Sequence, residues 1–111
     1  EQGFGTAARP LAVIASGERW PDGSLRPCLE DLLGAGAVLS ALPEAGFSPE
    51  AGLAARAYAT TDVVESVRRC GGGVELVAEG FPADVDVAVE VDASGVVPVL
   101  VEGAFTDARA H

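Results

Sequence analysis

Five apolar residues in a row, Leu11-Ala12-Val13-Ile14-Ala15, open the patterned part of the chain. The run is too short for a helix, has Val and Ile at its centre and lies between Pro10 and Ser16-Gly17, which predicts a buried strand in a parallel sheet. Pro21 and Asp22-Gly23 then demand a turn. Beyond it Leu25, Leu29, Leu32 and Leu33 recur at helical spacing, and Ala35, Ala37, Val38 and Leu39 extend the apolar surface. The spacing predicts a helix from about Ser24 to Leu42, stopped by Pro43 and apolar almost all round, hence largely buried. Pro27 falls in its first turn, where a missing N–H costs nothing.

Downstream the pattern becomes helical in short pieces. Ser48-Pro49-Glu50 joins a cap, a proline and an acid, and predicts a helix that turns Leu53, Ala54 and Ala57 inward. A second start at Thr61-Asp62 leads through Val63, Val64 and Val67 to Cys70, with Gly71-Gly72-Gly73 as its stop. One bent helix and two separate ones fit equally well. A short helix is expected over 73–79, ended by Gly80. Residues 84–92 alternate acidic and apolar side chains at the period of a half-buried strand, whereas Pro82 reads as a helix start. A last strand is expected over 96–101, held to an edge or a strand end by Pro98. Residues 1–10 read as a connector from a missing upstream segment, and 106–111 as a frayed tail.

Composition narrows the partners. At 111 residues the chain is one domain or a piece of one. A net charge of −10 argues against nucleic acid, whose phosphates demand a basic surface. No apolar run approaches a membrane span and no signal-like leader is visible, so a cytoplasmic protein without a membrane partner is expected. All seven cations are Arg. Cys28 and Cys70 lack metal or redox spacing and read as small core residues.

Candidate chemistry gathers between Gly17 and Gly36. Arg26 and Glu30, four apart, lie on one face of the predicted helix and can pair, with a solvated salt bridge as the bland alternative. Adjacent Glu30 and Asp31 on an otherwise apolar helix ask for Arg partners, donors or a divalent cation. Glu18-Arg19 at the strand end adds a second pair of opposite charges, and Ser24 with the free amides of the helix start would attract an anion. Carboxylates for a hard cation such as Mg2+, beside arginines for an oxyanion, make a set for metal-assisted attack on a phosphoryl group. A structural ion network explains the same residues equally well. His111, the only histidine, is terminal, which excludes a Ser-His-Asp hydrolase within the chain. No Lys-Ser/Thr follows the glycines at 71–73, so a phosphate loop is not indicated.

The string Gly17-Glu18-Arg19-Trp20, followed by Asp22-Gly23-Ser24-Leu25-Arg26-Pro27 and Glu30-Asp31-Leu32-Leu33-Gly34-Ala35-Gly36, resembles the signature of the 2-phosphosulfolactate phosphatase family. Ser48-Pro49-Glu50-Ala51, Gly80-Phe81 with Asp84-Val85, and Asp92, Ser94 and Val97-Pro98-Val99-Leu100 follow in the family's order. The likeness covers about Leu11 to Phe105 and corresponds to the C-terminal half of the family. It implies a Mg2+-dependent phosphatase that hydrolyses 2-phosphosulfolactate, or a related phosphorylated or sulfonated small acid, as in coenzyme M synthesis. It also implies a three-layer α/β/α half-domain over 11–105, with a short, mostly parallel or mixed sheet, completed by an upstream half of the same protein or joined by a second copy. On that likeness Glu18 and Asp31 are the catalytic candidates, and Glu18, Glu30 and Asp31 the metal ligands. Gly17, Arg19, Ser24 and Arg26 would bind substrate. The family pattern also favours a helix from Pro82 to Val91. The competing function is a non-catalytic α/β binding or assembly module in which the same charges fix how two halves dock.

Overall fold

The computed structural model describes residues 9–110. The first regular element is a tight hairpin. Strand β1 (Glu18–Arg19) pairs antiparallel with β2 (Leu25–Arg26), in the register Glu18 to Arg26 and Arg19 to Leu25. Gly23 N donates to the Trp20 carbonyl at 2.8 Å and closes a turn with Pro21 at its second position, which suits the fixed φ of proline. Gly23 itself sits at φ 86°, and Trp20 N donates across it to Ser24 O at 2.8 Å. This is a turn followed by a left-handed residue, a common way to close a short hairpin.

Five helices follow: α1 (Leu29–Ser40), α2 (Pro49–Thr60), α3 (Val63–Arg69), α4 (Gly71–Ala78) and α5 (Pro82–Ala88). Ser48 caps α2 by accepting from Ala51 N, and Asp62 caps α3 by accepting from Glu65 N, so the Thr61-Asp62 start opens a separate helix. A second hairpin, β3 (Pro98–Val101) with β4 (Ala104–Asp107), turns through Glu102 and Gly103, both at positive φ (49° and 83°) as a two-residue primed turn requires. A 3-10 turn at Ala108–Ala110 ends the described chain.

Helix α1 is the spine. Leu33 meets Val67 and Val89 in one buried cluster, and Leu39 meets Ala54 and Ala55 in another, to which Val13, Leu42 and Phe47 add. Gly36 and Ser40 mark the α1–α2 crossing: a Cβ on Gly36 would collide with the Ala54 carbonyl, and Ser40 Oγ, which donates to Gly36 O within α1, also reaches Ala55 O of α2 at 3.4 Å.

The mixed α/β character agrees with expectation, and so do the helices from Ser48 and Pro82 and the strand ending at Val101. Several particulars differ. Residues 11–15 form no strand, and Ile14 is 84% exposed. Both sheets are two-stranded and antiparallel, so the described residues offer this run no parallel partner with which to pair its N–H and C=O groups. The helix expected from Ser24 begins only at Leu29, because Leu25 and Arg26 extend into the hairpin; Pro27 precedes the N-cap Cys28 and lies outside the helix. Helix α3 stops at Cys70 as expected, but the three glycines, instead of forming a turn, begin the next helix, with Cys70 also capping Gly73 N. Leu53 faces outward, and Leu29, Leu32 and Val38 remain partly exposed, so α1 is buried along one stripe. Residues 106 and 107, expected to begin a frayed tail, complete the strand Ala104–Asp107, and of the connector only residues 9 and 10 are described.

The α1–α2 crossing gives a direct test. Alanine is the better helix former by about 1 kcal/mol. Gly36→Ala should nevertheless destabilise the chain by about 1–3 kcal/mol, because the new methyl has no room against Ala54 O and lies 2.9 Å from Tyr58 Cβ. Urea unfolding of the variant checks this; an unchanged or raised midpoint would mean that the helices do not cross here.

Candidate active site

Strand periodicity sorts the charges. Glu18 and Arg26 are directly opposed in the hairpin, and Trp20 lies two residues beyond Glu18, so the three share a face. The Arg26 guanidinium sits 4.6 Å from the centre of the Trp20 ring, with Nη1 3.6 Å from Glu18 Oε2. Its strongest partner comes from far along the chain. Glu75 on α4 receives Nη1 on Oε2 and Nη2 on Oε1, both at 2.9 Å. This parallel pair is the two-pronged geometry particular to guanidinium and carboxylate. The hydrogen bonds hold the Glu75 carboxyl below the ordinary glutamate range and raise the Arg26 guanidinium.

Glycine makes that approach possible. A Cβ on Gly71 would stand 3.3 Å from Arg26 Nη2, one on Gly72 2.7 Å from Glu30 Oε1, and one on Gly73 would strike the Val67 carbonyl. The bare first turn of α4 is therefore the surface against which Arg26 and Glu30 lie. A carboxylate there is also favoured by the positive end of the helix dipole. Cys70 Sγ lies 3.5 Å from Glu30 Oε2 and 3.1 Å from Val67 O.

The remaining expected residues divide between two places. Gly17 N donates to Asp31 Oδ2 at 2.7 Å, tying the hairpin base to α1. Gly17 has φ 69°, and a Cβ there would come within 3.0 Å of Arg26 O, so glycine is required twice over. Arg19 belongs to the opposite face from Arg26 and donates to Gly23 O at 2.8 Å. Ser24 is in the hairpin turn and not at a helix start; its N–H and hydroxyl both bond Asp22 Oδ1, at 2.9 and 2.6 Å. The hydroxyl bond is the larger cause of a lowered Asp22 carboxyl. The Arg26–Glu30 helical pair does not form, since Arg26 lies on a strand.

Glu18, Glu30 and Asp31 thus surround the hairpin–α1 junction without converging. Among the described residues no three His, Cys, Asp or Glu side chains come together so as to hold a metal ion. Glu18 stands by Arg26, Glu30 on the α4 turn and Asp31 on Gly17, and this set does not fit Mg2+ by itself. Their field is felt at half-buried Cys28, whose thiol is pushed up first by burial and then by Glu30, Glu18 and Asp31. A cavity of about 290 Å³ opens beside Gly17 and Asp31, walled by Leu25, Pro27, Cys28 and Leu32, and another of about 460 Å³ runs from Glu30 past Tyr58 to Asp92. Neither is lined by Arg26. Trp20, Glu75 and the roles of Gly71 and Gly72 were not foreseen; once the hairpin is granted, the two-residue spacing of Glu18 and Trp20 points to the first, but Glu75 carries no local signal.

A mixed α/β fold with acids and arginines gathered at a hairpin–helix junction defines a class of fold and site. Residues 6–103 match the family model described as 2-phosphosulpholactate phosphatase, and the chain belongs to that family. No curated protein and no solved structure matches it. Among the described residues no helix is long and apolar enough to cross a membrane.

The Glu75 shift sets a pH dependence. A carboxyl held lower in the folded state than in the unfolded one adds stability above its unfolded pKa of about 4.3, and that stability is lost as pH falls through the folded value. Glu75→Gln should therefore melt below wild type at pH 7, and the gap should close as the pH drops below about 4. Melting curves from pH 7 to pH 2.5 check it; a gap that persists at the lowest pH would assign the loss to packing.

Proposed function

We propose that the chain carries the oxyanion-binding part of a phosphatase acting on 2-phosphosulfolactate or a related phosphorylated, sulfonated small acid, with Arg26 gripping a phosphate or sulfonate group. The family assignment supports the reaction class, and the observation that carries the assignment of Arg26 is its placement: fixed by Glu75, stacked on Trp20 and flanked by the exposed carboxylate of Glu18. In hydrolysis a water oxygen attacks phosphorus, the ester P–O bond breaks, and the C2 oxygen leaves and takes a proton. In this proposal Glu18, 3.6 Å from Arg26, accepts the proton of that water beside an oxyanion held on Arg26. Asp31 holds Gly17 and so sets the hairpin against α1, while Arg19 and Ser24 keep the turn closed and act on substrate only from its rim. Glu18, Glu30 and Asp31 keep to separate partners and do not assemble a magnesium site among themselves.

We take the cytoplasm as the setting and coenzyme M synthesis as one pathway that uses such a step. Exposed Ile14, and exposed Leu100 paired with Phe105 in the second hairpin, support a second element of the proposal, that an upstream α/β half of the same protein or a second copy covers apolar surface of this chain. The assembly-module alternative draws on the same exposed surface, and on the fact that Arg26 is already neutralised by two acids.

Arg26→Lys separates the two functions. A lysine keeps the charge and loses the fork, so in the catalytic reading kcat/KM of the intact enzyme falls by more than about tenfold. Near-wild-type kcat/KM, with only a shifted melting curve, would return Arg26 to a structural role.

A further inference from the structure

Arg26 is short of freedom for a surface residue. Its side chain is 18% exposed, one hydrogen on each Nη is spent on Glu75, and Trp20 covers one face of the guanidinium. What remains for a ligand is Nε–H and the second hydrogen on each Nη. Their direction is fixed by Glu75, which reaches across from α4, and by Gly71, whose missing side chain admits Nη2. We propose that Glu75 is a positioning residue for oxyanion binding, acting through Arg26; this rests on the reading of Arg26 given above.

The proposal makes a prediction opposite in sign to simple electrostatics. A carboxylate beside an arginine lowers the positive potential that an anion meets, so by charge alone Glu75→Gln should tighten anion binding. If Glu75 holds the fork in its productive direction, the same change releases Arg26 from Trp20 and weakens binding, because orientation is what the guanidinium contributes beyond a point charge. Glu75→Asp extends the test: it preserves the charge but pulls the carboxylate back by one methylene, and cannot make both hydrogen bonds from the same backbone position. Charge alone predicts that the aspartate variant equals wild type, whereas positioning predicts that it resembles the glutamine variant.

The chain supplies its own reporter, since Trp20 is its only tryptophan and Arg26 lies on it. The experiment is titration of the full chain with inorganic phosphate, followed by calorimetry, with Trp20 fluorescence recorded before and after. Wild type should bind phosphate. Glu75→Gln and Glu75→Asp should each weaken binding about tenfold and shift ligand-free Trp20 emission, with melting curves showing both folded at the assay temperature. Phosphate affinity that is unchanged or raised in Glu75→Gln, or an aspartate variant equal to wild type, would overturn the role of Glu75 alone. Failure of wild type to bind phosphate would overturn the oxyanion reading beneath it and the positioning role with it.

Discussion

Two parallel hydrogen bonds between Arg26 and Glu75 join residues 49 apart in sequence, and the site takes its form from that junction. The hairpin that carries Arg26 has only two residues per strand and could not hold a side chain in place by its own ladder. It is secured instead at three points: by Gly17 N on Asp31, by the Trp20–Arg26 stack, and by the grip of α4. Removal of the last would leave a guanidinium on a short, mobile ribbon. The glycine turn of α4 belongs to the same junction, because a Cβ at Gly72 would stand where Glu30 lies and one at Gly71 would crowd Arg26 Nη2.

The packing behind the junction is economical. Helix α1 touches both buried clusters, with Leu33 toward α3 and Leu39 toward α2, and it holds Glu30 and Asp31 in its first turn. The stripe that anchors the helix therefore also sets the height of the two acids against the hairpin. Glu30 meets the positive end of α4, and Asp31 meets a backbone N–H, so each acid finds a donor or a dipole where water is partly excluded. Distributing the acids among separate partners is also why they make no metal cage.

Much of this was legible in the sequence wherever the cause is local. Ser48-Pro49 and Asp62 start helices because a short side chain accepts from an N–H two or three residues on, and Pro82 starts one against the strand-like alternation of 84–92 because its φ is already helical. What local pattern could not give was anything set by a distant partner. The apolar run at 11–15 has strand composition but lacks a partner strand among the described residues, and the leucine spacing from Leu25 was read one turn too early because a hairpin claimed Leu25 and Arg26. The triple glycine looked like a stop because glycine ends helices more often than it begins them; here its value lies in close approach. Helical spacing paired Arg26 with Glu30 and chain adjacency paired Glu18 with Arg19, whereas cross-strand pairing sets Arg26 against Glu18 and sends Arg19 to the other face.

The central claim is that Arg26 and Glu75 act as one unit. A double-mutant cycle built from Arg26→Lys, Glu75→Gln and the pair, read as unfolding free energy at pH 7, tests it most directly. The account predicts strong non-additivity: once either partner has gone the fork is broken, so the double variant should lose little more than one single variant. Losses that simply add would show that the two side chains contribute independently, and the junction on which the site is built would not exist in solution.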